Sequence, residues 1–160
     1  MSDDARFEDG DDKALSMVAF DQRDLEVISS LTQDSILPTS EIKWLSNQDR
    51  LALLINRFRW EYKRSGSFKH KNLERVRSLL MISHVKNISS SGFSSKQKDK
   101  ILSILSISFD GDEGSSGNVL FTLSGNGGIC VSVDALEIDL RDVTKPYIAP
   151  SGLFPDHKID

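Results

Sequence analysis

The stretch from Asn118 to Leu140 constrains the fold more than any other part of the chain. Asn118-Val119-Leu120-Phe121-Thr122-Leu123 and Ile129-Cys130-Val131-Ser132-Val133 flank Ser124-Gly125-Asn126-Gly127-Gly128. Alternation of apolar and small polar residues on both sides of an Asn-Gly and Gly-Gly turn reads as a β-hairpin, because those residues reach the positive φ that tight turns require. The second arm shifts phase. Ile129, Val131 and Val133 occupy odd positions and Leu136, Ile138 and Leu140 even ones. A β-bulge near Asp134-Ala135 accounts for the extra residue; the competing reading is a helix start with Val133, Leu136 and Leu140 on one face.

Upstream, residues 17–20 read as a short strand. Asp21 is a candidate N-cap for a helix over residues 22–34, with Leu25, Ile28 and Leu31 or Thr32 on its inner face. Ile42 and Trp44 share a strand face, residues 47–50 carry turn chemistry, and Leu51 to Trp60, apolar on both faces, reads as a central strand. Further strands are expected over residues 73–85 and 101–109. Breaks are expected at Ser65-Gly66-Ser67, at Ser89-Ser90-Ser91-Gly92 and between Asp110 and Gly117. The expected fold is α+β: a mostly antiparallel, curved sheet of about seven strands, an open barrel or sandwich of which a pleckstrin-like arrangement is one form, with one N-terminal helix.

At 160 residues with 38% hydrophobic content, one domain with a real core is the default. We expect an acidic disordered arm over residues 1–14, a globular domain over 15–145 and an irregular tail over 146–160. No basic-then-apolar leader and no bilayer-length apolar run is present, so a cytoplasmic protein with no membrane partner is expected. The single cysteine, Cys130, cannot form an internal disulfide and is expected to be a small packing residue.

These patterns are similar to a family of small uncharacterised alphaproteobacterial proteins, domain of unknown function 2948. The likeness runs through Leu54-Ile55-Asn56-Arg57-Phe58-Arg59-Trp60-Glu61, Glu74-Arg75-Val76, Leu105-Ser106-Ile107-Ser108-Phe109, the glycine turn, and Val133 to Leu140. The resemblance implies a bacterial cytoplasmic origin and a single compact domain. It brings no activity, cofactor or catalytic residue. The acidic arm and Asn87 to Ser95 depart from the family's pattern.

Signals for chemistry are weak. Asp110-Gly111-Asp112-Glu113-Gly114 resembles a calcium loop, but a twelve-residue site would need oxygen ligands where Gly114 and Phe121 stand. His70, His84 and His157 are scattered, and one cysteine cannot complete a zinc set with them. Serines with His84 and a carboxylate could form a triad only through tertiary contact, and no Gly-x-Ser-x-Gly elbow is present. Gly125 to Gly128 lacks the lysine of a phosphate loop. No cofactor is expected.

Charge is the stronger signal. The net −4 conceals a segregation: residues 1–13 carry −4, residues 57–77 carry +6, and nine carboxylates follow Leu105 against Arg141, Lys145 and Lys158. The basic segment comprises Arg57, Arg59, Lys63, Arg64, Lys69, Lys71, Arg75 and Arg77 against Glu61 and Glu74. A hairpin centred on Ser67 would set Arg57 opposite Arg77 and Arg59 opposite Arg75, crowding four guanidinium groups on one face. Two explanations compete: those eight residues contact an anionic partner, a protein or a nucleic acid, or Glu137, Asp139 and Asp142 neutralise the arginines from an adjacent strand. The expected function is a noncatalytic binding or interaction module, with a homodimer through an exposed sheet edge left open. The alternative is a small enzyme whose site is assembled from distant residues.

Overall fold

The computed structural model describes residues 14–60, 74–94, 100–112, 114–144 and 147–148. The arm over residues 1–13, most of the loop centred on Ser67 and nearly all of the tail lie outside them. In chain order the elements are β1 (Ser16–Ala19), α1 (Gln22–Leu31), β2 (Ile36–Pro38), β3 (Ile42–Leu45), β4 (Arg50–Phe58), β5 (Glu74–Ile82), β6 (Val85–Ser91), β7 (Ile101–Gly111), β8 (Gly117–Leu123), β9 (Gly127–Val133), β10 (Ile138–Asp142) and β11 (Tyr147–Ile148). They form one large open antiparallel sheet, ordered β1-β10-β5-β4-β2-β7-β8-β9-β6, with β3 on β4 and β11 on β5. The fold is α+β, as the patterning implied.

Among the described residues there are eleven strands rather than about seven. Two of the additions come from segments read as continuous. The run expected over 73–85 breaks at Ser83-His84, where His84 takes a left-handed backbone (φ 58°), and the chain continues as β6 through the serines expected to mark a break. Likewise the second hairpin arm does not carry a bulge at Asp134-Ala135. It stops at Val133 and resumes at Ile138, and the phase change reflects a transfer from β8 to a new neighbour, β5. β2 and β11, three and two residues long, are too short to show a period.

β7 joins the two halves of the sheet. Its first residues pair with β2, whereas Ile104 to Gly111 pair with β8, and the register shifts between Ile104 and Ser106. A strand that changes partners at a bulge lets a sheet turn so that its two halves enclose one core. The inward residues accordingly form a single cluster: Leu51, Leu53, Leu80, Ile82, Ile138 and Leu140 from one half meet Ile107, Val119, Phe121, Val131 and Val133 from the other. The helix completes this core with Leu25 and Ile28. Asp21 caps it as expected, its side chain accepting from the Asp24 N–H at 2.8 Å. The helix ends at Leu31, three residues early, because Asp34 turns left-handed (φ 63°) to bring its N–H to the Ile104 carbonyl of β7.

The hairpin forms where the glycines placed it. Leu123 pairs with Gly127, and Gly125 (φ 76°) and Asn126 (φ 65°) supply the positive φ. β4 is central, flanked by β5 on one side and by β2 and β3 on the other.

Candidate functional site

β4 and β5 determine where the arginines point. Asn56 pairs with Arg77, Arg57 with Val76 and Phe58 with Arg75. This register is one residue away from the one that would align the arginines, and in a period-two structure one residue transfers a side chain to the other face. The expected row of four guanidinium groups on one face is therefore not formed. Arg57 points inward and Arg75 and Arg77 sit on the outward register, so like charges are kept apart across the strand pair.

Arg57 continues the inward series Leu51, Leu53, Ile55 and is fully buried (0% exposed). Its neighbours across the sheet are Ser78 on β5 and, beyond it, Asp142 on β10, because Asp142 pairs with Ser78. The Arg57 Nη2 lies 2.9 and 3.1 Å from the two Asp142 carboxylate oxygens, and Nε donates to Ser78 Oγ at 3.0 Å. Nη1 donates to the Phe58 carbonyl at 3.1 Å, and the Ser78 hydroxyl donates to Asp142 Oδ1 at 2.7 Å. The second carboxylate oxygen also accepts the Leu15 N–H at 2.9 Å. A buried charge pair is tolerated when its remaining lone pairs and protons are satisfied in this way.

The other arginines follow separate solutions. Arg59, 1% exposed, pairs with Glu74 at 2.6 Å. Arg75 donates to Asn56 Oδ1 and holds its guanidinium 4.1 Å above the Phe58 ring centroid, a cation–π contact that covers a fully buried aromatic. Phe58 meets Trp60 at 5.5 Å between ring centroids, and the Trp60 Nε1–H donates to the Gln33 carbonyl at 2.9 Å. Phe58 is fully buried and Trp60 half-buried, so both are held by internal contacts. Arg77 alone of the four is exposed. Lys63, Arg64, Lys69 and Lys71 lie outside the described residues.

Of the three carboxylates expected to neutralise this segment, Asp142 does so for Arg57. Glu137 instead meets His84, its Oε1 2.8 Å from His84 Nε2. Asp139 pairs with Met81 on the outward register. Ser78 was not anticipated, although a signal existed. It is the one hydroxyl in the inward series Val76, Ser78, Leu80, Ile82, and it sits across from the point where β4 also turns from aliphatic to charged.

Around Arg77 the outward face is partly apolar. A hollow of about 180 Å³ is lined by Ile36, Pro38, Leu54, Asn56, Arg77 and Ile101 among others. Ile101 is exposed, and Arg141, also exposed, lies on the same side of the sheet on the adjacent strand β10, opposite Leu79. Among the described residues the Arg77 guanidinium has no carboxylate partner.

The other candidates gain little. Ser83, His84 and Glu137 do come together at the β5–β6 corner, but the Ser83 hydroxyl is buried and makes no hydrogen bond to His84 or to any other described residue. Asp112 closes a surface turn, its carbonyl accepting from both the Ser115 N–H and hydroxyl. Among the described residues no cluster of His, Cys, Asp and Glu could hold a metal ion. Cys130 is free and half-buried, opposite Leu120 and Ser89. No described helix is long and apolar enough to cross a membrane.

The family model described as a protein of unknown function, DUF2948, matches residues 15–157. The chain belongs to this family. That match spans the whole described fold, from the residue before β1 past β11, so the Arg57–Ser78–Asp142 cluster and the Arg77 face both lie within the shared domain. No curated protein and no solved structure matches the chain.

Proposed function

We propose that this DUF2948 protein is a noncatalytic interaction module whose outward β5–β4–β2 face meets a partner protein carrying both negative charge and apolar surface. The observation that carries the reading is Arg77: an exposed guanidinium beside a hollow walled by Ile36, Pro38, Leu54 and Ile101. Arginine amid apolar contact surface is the composition enriched at the energetic centres of protein interfaces. Nucleic acid fits less well, since phosphate backbones are bound by rows of cations and Arg57, Arg59 and Arg75 are committed to internal partners. A curved sheet with one helix, the plan of pleckstrin-like modules, is compatible with this role but supplies no site by itself. A bacterial cytoplasmic setting belongs to the same proposal and suits a chain with a single unpaired cysteine.

The test is a salt titration of binding to fluorescently labelled polyglutamate and to single-stranded RNA, with wild type and Arg77→Glu. Salt-sensitive binding to polyglutamate that falls at least about tenfold in the variant, a difference of about 1.4 kcal/mol, supports the reading. Binding to neither probe, or binding indifferent to Arg77→Glu, defeats it. Tighter binding to RNA would transfer the role to nucleic acid.

A further inference from the structure

The strand order ends at β6, and the unpaired edge of β6 faces that of β3, a side strand on β4. β3 pairs only with β4 and β6 only with β9 among the described residues. They touch at one end, where the Val85 N–H donates to the Asp49 carbonyl in the β3–β4 turn at 2.9 Å. Beyond that bond they part. The opening is a cleft of about 220 Å³ whose walls are Ile42 and Leu51 on one side and Ile88, Phe93 and Ile129 on the other, reaching down to the core.

Three features of this cleft go together. Its volume falls below the roughly 300–1,000 Å³ of pockets that hold a typical small molecule, but it has room for one large apolar side chain. Natural sheets protect free edges with charges, bulges or proline. β6 has such protection only at its start, with Lys86 and the register shift between Val85 and Asn87; Ile88-Ser89-Ser90-Ser91 carries none. Finally, Trp44 on β3 stands 46% exposed and is the ladder partner of Leu51, which lines the cleft.

We propose that this cleft receives an extended peptide from a partner protein, which adds a strand to the free edge of β6 and seats one large apolar side chain between Ile42, Leu51, Ile88 and Phe93. Strand addition supplies affinity through main-chain hydrogen bonds and specificity through alternate side chains. Charge defines the flanking positions. Lys100, exposed, lies at the open end of the cleft, its Nζ donating to the Gly92 carbonyl at 2.9 Å beside Phe93, and Lys43, also exposed, follows Ile42 on β3; neither has a carboxylate partner among the described residues. Lys86 at the closed end, by contrast, is matched by Asp134 at 3.5 Å. The peptide therefore carries carboxylates beside its apolar anchor. This surface is separate from the Arg77 face and does not depend on it.

The experiment is selection of a random-peptide display library against the full chain, followed by amide hydrogen exchange with the enriched peptides made synthetically. The expected result is a consensus of one aromatic or large aliphatic residue next to Asp or Glu, with protection gained at Ile88 to Ser91. Affinity should fall at least about tenfold in Ile88→Arg, about 1.4 kcal/mol, and hold in Arg77→Glu. The exchange pattern in wild type decides the matter even if Ile88→Arg folds poorly. Failure to enrich any peptide, or protection confined to β4 and β5 around Arg77, would overturn the proposal.

Discussion

Arg57 and Asp142, 85 residues apart in sequence, meet through three hydrogen bonds of 2.9, 3.1 and 3.2 Å in the buried layer of the sheet, with Ser78 bonded to both. A basic segment that reads as a surface feature thus supplies an internal strut tying β4 to β10 across β5. Removing one partner strands the other charge in the core, which typically costs about 3–5 kcal/mol. Arg57→Ala and Asp142→Ala should each show that loss in urea unfolding, whereas Arg57→Met with Asp142→Leu should recover much of it. Arg77→Ala, at an exposed position, should stay within about 0.5 kcal/mol of wild type.

Ser83 presents the opposite case. Its hydroxyl is buried at the β5–β6 corner with no hydrogen-bond partner among the described residues. An unsatisfied buried polar group carries a desolvation cost of about 1–3 kcal/mol, so Ser83→Ala should raise stability by about 1 kcal/mol. A thermal melt lower than wild type would show that the hydroxyl is engaged after all.

Gly92 follows β6 with φ +84°, and a Cβ placed there would lie 2.6 Å from the Gly127 Cα. Both the backbone conformation and the close approach of two main chains exclude a side chain. Gly92→Ala should cost about 1–3 kcal/mol, read as a lower urea midpoint with unchanged slope.

At the helix, Asp21→Ala removes the acceptor for the Asp24 N–H and should cost about 1 kcal/mol. Asp21→Asn should retain most of the cap. Equal losses in the two variants would mean that charge near the helix start, rather than the hydrogen bond, is what matters there.

Residues 1–13 carry −4 net charge and compete in principle with any anionic partner for the basic face. Deleting them should strengthen polyglutamate binding at low salt and change little at high salt, where screening shortens to a few ångströms. Unchanged affinity at low salt would remove the arm from the account.

How much of this was legible in the chain depends on range. The hairpin, the Asp21 cap and the central position of β4 rest on local periodicity and turn chemistry, and they appear where the residues place them. Fold class followed from the same patterns. Strand number did not, since a sheet that turns corners at His84 and between Val133 and Ile138 looks in sequence like fewer, longer strands. The arginine face was misjudged by a single residue of register. Spacing about Ser67 suggested a symmetric hairpin, yet the pairing is fixed by burial of Leu51, Leu53 and Ile55 against Ile82, Leu80 and Ser78. Asp142 was within reach as a neutralising residue, but Ser78 and the inward course of Arg57 needed the three-strand alignment.

The place of β10 in the strand order has a consequence for how the protein is made. β10 lies between β1 and β5 and pairs with both, Ile138 with Ala19 and Ile82, Leu140 with Met17 and Leu80. The first strand to leave the ribosome therefore has no sheet neighbour until residues near 140 have emerged. A nascent chain lacking them exposes the apolar inner edge of β5 throughout synthesis, a state prone to aggregation, and ribosome-bound fragments ending before Ile138 should be the ones that chaperones hold.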